Sequence, residues 1–355
     1  MSDKTRIEWA DATVNAVNGC SVFSPGCTNC YAMKQAHRFP ARQGLTVKTK
    51  GGMVWTGEVR LNEKQLLLPL GWKRPRRIFW NAHGDLFHES VPDEWIDRVF
   101  AVCALTPQHQ HLILTKRSER MREYCTFLPD VVEDIQEAAR KAGGTLLASR
   151  QAREAVEAGP LPNVWLGVSV EDQTRADQRI PDLLATPAAV RFISAEPLLG
   201  PVDLSDLMFA EEECPNWEMD GLPPPMCSET GAQECCTHCD YTGFVSVPKL
   251  DWVIVGGESG PNARPMHPDW TRSLRDQCAA ASVPFFYKQW GEWFPGELAD
   301  DGAQLRAYPD NDHDPDAVNW TGQWKHTADC GGMLRVGKAK AGRLLDGREW
   351  SGFPA

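Results

Sequence analysis

The chain has 355 residues, of which 42% are hydrophobic and 24% charged, an ordinary composition for a soluble globular protein. Its formal net charge of −11 argues against a protein that coats nucleic acid non-specifically, because such binding is driven by clustered Lys and Arg. No apolar stretch is long enough to span a bilayer and no apolar leader opens the chain, so we expect a cytoplasmic protein without a membrane partner. In that reducing compartment its twelve cysteines are free to bind metal.

The first predicted elements are a strand from Thr13 to Val17 and a loop with three cysteines, Cys20, Cys27 and Cys30. Three thiolates on a tight Gly/Pro loop can hold three corners of a cubane iron–sulfur cluster and leave one iron open for a reacting ligand. A structural zinc site would need a fourth protein ligand, for which His37 is the nearest candidate. We interpret the loop as an open-iron [4Fe-4S] site, with zinc as the alternative.

The segment that follows the cysteines is basic. From Lys34 to Arg77 there are eleven Lys and Arg residues against only Glu58 and Glu63. The excess is interpreted first as the solvated surface of an acidic protein, and second as a phosphate-facing patch beside the cysteine loop.

Six short apolar runs, rich in β-branched and aromatic residues, are predicted to be buried parallel strands. Helical spacing follows Pro92 and Pro268, and two further helices are predicted around Val131 to Ala142 and Ala148 to Ala158. Strands that alternate with helices predict an α/β fold, and six or seven such repeats form a partial TIM-type, (βα)6-like barrel with parallel strands. The six runs are Arg77 to Asn81, His111 to Thr115, Val164 to Val170, Val190 to Ala195, Trp252 to Gly256 and Pro284 to Lys288.

Polar side chains stand at the carboxyl end of each predicted strand. In a parallel barrel these ends face one rim, where catalysis takes place, so we expect the polar groups to converge with the cysteine loop. Taken singly, each of them could instead cap a helix or form a salt bridge at the rim. The group includes Asn81, Asp85, Thr115, Lys116, Ser169, Glu171, Ser194, Glu196 and Glu258.

Residues 205–249 differ from the rest of the chain because they are acidic, Pro-rich and carry five cysteines. The run from Cys236 to Cys239 is typical of a zinc knuckle, and zinc would fold a loop that has little apolar surface of its own. We therefore predict a zinc-binding insert within a single barrel domain formed by residues 1–204 and 250–355. A second cluster for electron relay is the competing interpretation. The predicted zinc ligands are Cys214, Cys227, Cys236 and Cys239, with Cys235 or His238 as an alternative.

The sequence resembles the phage-associated three-cysteine-motif proteins of unassigned function, which are similar in outline to radical S-adenosylmethionine enzymes of the spore photoproduct lyase type. The resemblance covers nearly the whole chain apart from the inserts. It is carried by Ile7-Glu8-Trp9, Asn18-Gly19-Cys20, the segment from Ser24 to Ala32, Asp85-Leu86-Phe87-His88, Leu114-Thr115-Lys116-Arg117, Gly167 to Glu171, Ile193 to Leu198, Val255 to Gly260 and Phe286 to Gly291.

The resemblance implies a [4Fe-4S] cluster on the three cysteines and S-adenosylmethionine (SAM) on its open iron. Reductive cleavage of SAM would give a 5′-deoxyadenosyl radical that acts on a nucleic acid or nucleotide, with flavodoxin or ferredoxin as electron donor. Catalytic roles are expected for Asp85, Lys116, Glu196 and Glu258. Cofactor contacts are expected from Tyr31, Asn81, Asp85, Thr115, Lys116, Ser169, Glu171, Ser194 and Glu196.

This chain departs from the superfamily pattern at two places. The first gap between its cysteines holds six residues instead of the usual three, and Asn29 stands where an aromatic residue normally precedes the last cysteine. The run Gly256-Gly257-Glu258 lies on a late strand instead of an early one.

Two alternative functions are compatible with the same residues. One is a non-catalytic binding module that zinc stabilises at both cysteine groups. The other is a metal-dependent hydrolase that uses Asp85, His88 and Glu89.

Overall fold

The computed structural model describes residues 5, 7–143, 145–213, 244–248, 250–295, 297–298, 305–306, 324–326 and 332–354. Its centre is a seven-stranded sheet whose strands lie side by side in chain order, each parallel to the next, and curl into a half barrel. The strands are β1 (Ala12–Val14), β2 (Arg77–Trp80), β3 (Gln110–Thr115), β4 (Val164–Ser169), β5 (Val190–Ala195), β6 (Trp252–Gly256) and β7 (Phe285–Gln289). The predicted partial TIM-type barrel is confirmed.

Helices connect successive strands and cover the outer face of the sheet. Pro92 and His267 precede two of them, and an acidic residue stands in the first turn of each, which favours the positive end of the helix dipole. The helices of eight or more residues are α1 (Asp93–Leu105), α2 (Ser118–Thr126), α3 (Val132–Gly143), α4 (Leu146–Glu157), α5 (Gln173–Ala185) and α6 (Pro268–Ala280). The four helices predicted from the sequence correspond to α1, α3, α4 and α6.

Shorter elements surround this frame. The short helices are Tyr31–Gln35, Glu63–Leu66, Ser205–Met208 and Lys338–Ala341, with 3-10 turns at Pro25–Cys27, Ala36–Arg38, Pro40–Arg42, Leu68–Gly71 and Leu128–Val131. The short strands are Val17–Asn18, Thr46–Thr49, Gly52–Trp55, Arg60–Leu61, Phe209–Glu213, Phe244–Pro248, Trp293–Pro295, Glu297–Leu298, Leu305–Arg306, Trp324–His326 and Gly332–Arg335.

The inner face of the half barrel is closed at the amino end of its strands by a layer of aromatic and aliphatic side chains. The ring of Trp9, which precedes β1, packs at 4.7 Å from Phe79, and Phe192 lies beside Trp252 at 5.8 Å. Gly167 belongs to this layer because a Cβ there would stand 2.5 Å from the Phe192 ring. The layer consists of Trp9, Ala10, Phe79, Leu112, Trp165, Phe192, Trp252, Ile254 and Phe286.

Successive side chains of a strand point to opposite faces, so the next inward position lies two residues further along. Two residues after Phe79 stands Asn81, two after Phe192 stands Ser194, and two after Phe286 stands Lys288. The sheet therefore presents an apolar layer at one end of its inner face and polar side chains at the other.

The predicted insert leaves the barrel through a two-stranded antiparallel ribbon, Phe209–Glu213 paired with Phe244–Pro248. The cysteines proposed as zinc ligands, Cys214, Cys227, Cys235, Cys236 and Cys239, lie outside the described residues. The zinc site and the division into one barrel domain and one insert therefore stay predictions. Across the described ranges, no helix has both the length and the apolar character that a membrane crossing requires.

Acidification is expected to destabilise the fold through His111, a buried side chain of β3. Burial lowers the pKa of His111 to about 3, and its Nδ1 accepts a hydrogen bond of 3.0 Å from Trp80 Nε1. The unfolded chain binds a proton at this side chain near pKa 6.5, so the folded state loses stability as the pH falls below that value. Between pH 7 and pH 5 we expect His111 alone to lower the free energy of unfolding by roughly 2 kcal/mol.

Urea denaturation of the wild type and of His111→Gln at both pH values measures this contribution. The variant is expected to show a smaller pH dependence by about that amount, because glutamine does not titrate. Equal pH dependence in the two proteins would contradict the prediction.

Candidate functional site

A cavity of about 1150 Å³ opens at the carboxyl ends of the sheet strands. The polar residues that follow the apolar inner layer line it, so the predicted convergence of strand ends is observed. All of the predicted cluster and rim residues except Glu171 line this one cavity: Cys20, Cys27, Cys30, Tyr31, Asn81, Asp85, Thr115, Lys116, Ser169, Ser194, Glu196 and Glu258.

The loop of the three cysteines forms one side of the cavity. Cys20 follows the short strand Val17–Asn18, Cys27 ends a 3-10 turn that begins at Pro25, and Cys30 is the N-cap of the helix Tyr31–Gln35. All three are free thiols. Gly19 leads into the loop with a φ of 100°, a conformation that favours glycine.

Burial is the main cause, and the nearby Asp85 carboxylate a second one, that raises the pKa of the Cys20 thiol to about 12. Arg117 acts in the opposite direction, because its Nη1 lies 3.4 Å from Cys20 Sγ and donates a hydrogen bond to it. Burial also raises the pKa of Cys30. In the absence of metal these two thiols hold their protons at neutral pH, and metal binding must displace them.

Asp85 holds Arg117 in place. One carboxylate oxygen accepts hydrogen bonds from Thr115 Oγ1 at 2.6 Å and from Phe87 N at 3.1 Å. The other accepts from Lys116 N and Arg117 Nη1, both at 3.1 Å. Asp85 therefore links the ends of β2 and β3, and its carboxylate is saturated by protein groups.

Arg117 also reaches two further residues beside the cysteines. Its Nη2 donates to Ser21 Oγ at 2.6 Å, and its guanidinium stacks at 4.8 Å from the ring of Phe23. The sequence interpretation had noted Arg117 only as the residue after Thr115 and Lys116. The structure shows that it is a cationic contact of Cys20 in the cysteine loop.

Glu171 lies beneath the loop and does not line the cavity. Lys116 Nζ donates to one of its oxygens at 2.6 Å and Arg179 Nη1 to the other at 2.7 Å, while Ser24 Oγ also donates to it. Burial disfavours the ionised carboxylate, but Lys116 and Arg179 outweigh that effect and lower the pKa of Glu171. Lys116 and Glu171, which were each expected to contact the cofactor, thus pair with each other.

Glu258 fixes the far end of the loop. One of its oxygens accepts hydrogen bonds from Asn29 Nδ2 at 3.0 Å and from the backbone and Nε of Arg264 at 2.7 and 2.9 Å. Burial works against ionisation, yet these hydrogen bonds lower the pKa of Glu258. Asn29, which replaces the usual aromatic residue, is therefore the attachment point between the loop and β6. No sequence motif had indicated a role for Arg264.

The remaining rim residues leave polar groups available to a ligand. Glu196 pairs with Lys288, whose Nζ lies 2.8 Å from each of its carboxylate oxygens. Ser169 and Ser194 line the cavity, and their hydroxyls make no hydrogen bond within the described part of the chain. Tyr31 is 48% exposed, and its hydroxyl donates to Ala82 O at 2.9 Å.

The donor set favours a cluster over a single ion at the cysteine loop. A mononuclear zinc site holds each thiolate at about 2.3 Å from one metal, which brings the sulfurs close together. Across the described ranges, no three His, Cys, Asp or Glu side chains are grouped for a single ion. A cubane cluster binds each thiolate to a different iron, and three free thiols on one cavity supply that donor set. His37 is exposed and does not line the cavity.

The residues of the hydrolase alternative do lie together, but protein contacts occupy them. His88 Nε2 is 3.0 Å from Ser21 Oγ and 3.3 Å from Glu89, and its Nδ1 accepts from Ser90 N. Together with the saturated Asp85, they leave no ligand set assembled for a hydrolytic metal.

The basic segment does not form one patch beside the cysteines. Arg77 pairs with Asp11 at the amino end of β2, and Lys73 and Arg74 are exposed near the same end, away from the cavity. Arg42 alone among the segment's eleven Lys and Arg residues lines the cavity. The interpretation as solvated surface therefore fits these residues better than a continuous phosphate-facing patch.

Comparison with known protein families identifies the family to which the chain belongs. A family model described as "Protein of unknown function (DUF5131)" matches residues 4–354. The chain belongs to this family. Membership of a family without an assigned function is thereby confirmed, whereas the phage association stays a prediction.

Two further comparisons add little to that assignment. No curated protein matches the chain. Among solved structures, a cysteine-to-serine mutant of spore photoproduct lyase is similar at 10% sequence identity and a TM-score of 0.32. The match covers 56% of this chain and 48% of that one, so the chain spans about half the length of the enzyme it matches.

In this member of the family, Gly26 sets how closely the cysteine loop approaches Glu171. A Cβ at Gly26 would lie 2.5 Å from Glu171 Oε1, and Glu171 cannot withdraw because it is fully buried between three partners. We expect Gly26→Ala to lower the free energy of unfolding by about 1–3 kcal/mol, the usual cost of overpacking.

Gly51→Ala is the matched control, since a Cβ there meets only Thr49 Oγ1 at 3.8 Å. Chemical denaturation of the wild type and both variants measures the difference. A Gly26→Ala protein as stable as Gly51→Ala would show that the loop does not rest on Glu171.

Proposed function

We propose that the chain is an iron–sulfur enzyme of the radical SAM type, with a [4Fe-4S] cluster on Cys20, Cys27 and Cys30. One observation carries the proposal: three free thiols converge on the same cavity as the polar ends of six parallel strands. Three cysteines leave one iron of a cubane without a protein ligand, and that vacancy suits a reactive cofactor. When bound to such an iron, SAM can accept an electron and break down to methionine and a 5′-deoxyadenosyl radical.

The protein's own residues position and shield this site. Arg117 donates to Cys20, and hydrogen bonds to cluster sulfurs are one of the means by which proteins set a cluster's reduction potential. Lys116 keeps further N–H groups beside its contact with Glu171 and offers a positive charge for a carboxylate. Ser169 and Ser194 offer hydroxyls to the hydroxyl groups of a sugar, and the Glu196–Lys288 pair lines the same wall.

The substrate in this proposal is a nucleic acid or a nucleotide, and the electron comes from a donor such as flavodoxin or ferredoxin. The cavity supports a nucleotide-sized ligand, because about 1150 Å³ exceeds the room that a drug-sized ligand takes. No contact of Asp85, His88 or Glu89 favours the alternative function as a metal-dependent hydrolase.

Removal of one loop cysteine is expected to abolish the cluster and its chemistry. After anaerobic reconstitution with iron and sulfide, the wild type should absorb near about 400 nm, as iron–sulfur proteins do. With dithionite and SAM it should form 5′-deoxyadenosine. Cys27→Ala should lose both the absorption and the product, because only two thiols remain on the cavity.

Cys125→Ala is the matched control, since Cys125 is a buried thiol of α2 that does not line the cavity. It should keep absorption and product. A wild type that carries a complete cluster yet yields no 5′-deoxyadenosine would overturn the radical chemistry. Zinc alone after anaerobic purification, without the absorption, would favour the zinc-stabilised binding module.

The insert is proposed to hold one zinc ion on Cys214, Cys227, Cys236 and Cys239. Cys236→Ser should lose the zinc and keep the absorption near about 400 nm, because the two cysteine groups are separate in the sequence. Cys235→Ser is the paired control and should keep the zinc. Metal analysis of the purified variants measures the effect; zinc loss in Cys235→Ser but not in Cys236→Ser would exchange the two ligands.

A further inference from the structure

One wall of the cavity combines a cation with aromatic rings. It is formed by the segment 31–42 and by the loop after β2. The rings of Tyr31 and Phe39 lie 5.7 and 6.2 Å from the ring of His83, and the guanidinium of Arg42 lies 4.4 Å from the Phe39 ring. These four side chains form a continuous surface beside the cysteine loop.

Arg42 forms no salt bridge with any carboxylate among the described residues. Its Nε donates to Asn18 Oδ1 at 2.9 Å, while its Nη1 is buried and has no hydrogen-bond partner in the described part of the chain. Burial lowers the pKa of Arg42, as desolvation without an anionic partner must. Arg42 as a whole is half-buried, but its buried Nη1 is costly to leave without an acceptor.

Three residues that line the same cavity also carry a buried polar atom without a hydrogen-bond partner in the described part of the chain. These atoms are Asn81 Nδ2, Trp9 Nε1 and His83 Nδ1. Asn81 and Trp9 are only 4% and 2% exposed, and their unpaired atoms are obligate hydrogen-bond donors. Asn81 Oδ1 is already used, because it accepts from Val17 N at 2.8 Å.

Native proteins seldom leave buried donors unsatisfied, so their concentration on one cavity indicates a ligand rich in acceptor oxygens. The unpaired guanidinium requires that ligand to be an anion, and Arg binds phosphate particularly well through its planar fork. Tyr31 and Phe39 are 48% and 42% exposed as residues, and aromatic side chains of this kind stack on bases. A phosphate joined to an aromatic ring system describes a nucleotide.

We propose that this wall binds a nucleotide unit, with its phosphate on Arg42 and its base against Tyr31 and Phe39. Asn81, which directly follows β2, donates to an oxygen atom of the same ligand. As a statement about substrate, the assignment rests on the proposed function. The binding step itself needs no cluster and is measurable in metal-free protein.

A pyrimidine nucleotide is the suitable probe, because adenine nucleotides resemble the adenosine part of SAM and would also report on cofactor binding. Isothermal titration of the metal-free full chain with UMP should give saturable binding, and uridine should bind far more weakly. Arg42→Gln should weaken UMP binding by roughly tenfold or more, since it removes a charge-assisted hydrogen bond. Arg38→Gln removes the same charge from the same segment, but Arg38 is exposed and does not line the cavity.

Arg38→Gln is therefore expected to change the affinity by less than about twofold, as for an exposed charge. Equal losses in the two variants, or equal binding of UMP and uridine by the wild type, would overturn the proposal. Circular dichroism and thermal unfolding establish that both variants are folded. Phe39→Leu provides a second test should Arg42→Gln fail to fold: it should weaken UMP binding and leave the affinity for inorganic phosphate unchanged.

A short oligothymidylate distinguishes a free nucleotide from a strand. Tighter binding than UMP, with the same dependence on Arg42, identifies a nucleotide within a single strand; weaker binding identifies a free nucleotide. UMP binding without 5′-deoxyadenosine formation would retain the nucleotide site and overturn the radical chemistry. Formation of 5′-deoxyadenosine without UMP binding would do the reverse.

Discussion

Three buried carboxylates hold the cysteine loop against the rim of the half barrel, and the candidate site depends on them. Asp85 secures Arg117, which contacts Cys20; Glu171 accepts from Ser24; Glu258 accepts from Asn29. Each carboxylate belongs to a different strand end and reaches a different part of the loop. Because buried charges are stable only when paired, each carboxylate also requires its own arginine, supplied by Arg117, Arg179 and Arg264.

This arrangement changes how the polar strand ends are understood. Carboxylates at the rim are candidates for contact with a cofactor. The oxygens of Asp85, Glu171 and Glu258, however, accept hydrogen bonds from other groups of the protein. Their contribution is to fix the positions of the thiols, much as hydrogen-bonded groups behind metal ligands orient those ligands elsewhere. The groups left for a ligand are neutral or cationic. They are the hydroxyls of Ser169 and Ser194, the Lys116 ammonium, and Arg42 Nη1 and Asn81 Nδ2, which have no partner in the described part of the chain.

The candidate site also depends on the apolar layer at the amino end of the inner face. Its aromatic rings pack against one another between the strands, and two of them, Trp9 and Phe79, line the floor of the cavity. The C-terminal segment completes this layer, because Phe353 packs at 5.1 Å from Trp252 and Gly352 O accepts from Trp252 Nε1. A single strand period of two residues thus produces floor and site from the same strands.

The sequence alone predicted six of the seven sheet strands, a candidate first strand from Thr13 to Val17, the helices α1, α3, α4 and α6, and the convergence of the strand ends, because apolar periodicity and parallel topology leave few alternatives. It also singled out the three cysteines by their spacing. It could not determine which polar residues pair with each other: Lys116 with Glu171, Glu196 with Lys288, or Arg264 with Glu258. The first two pairs join residues 55 and 92 positions apart in the chain, and the third depends on how the loop after β6 folds back. Burial, which only the tertiary structure sets, decides which charges must be neutralised within the protein and which atoms remain for a ligand.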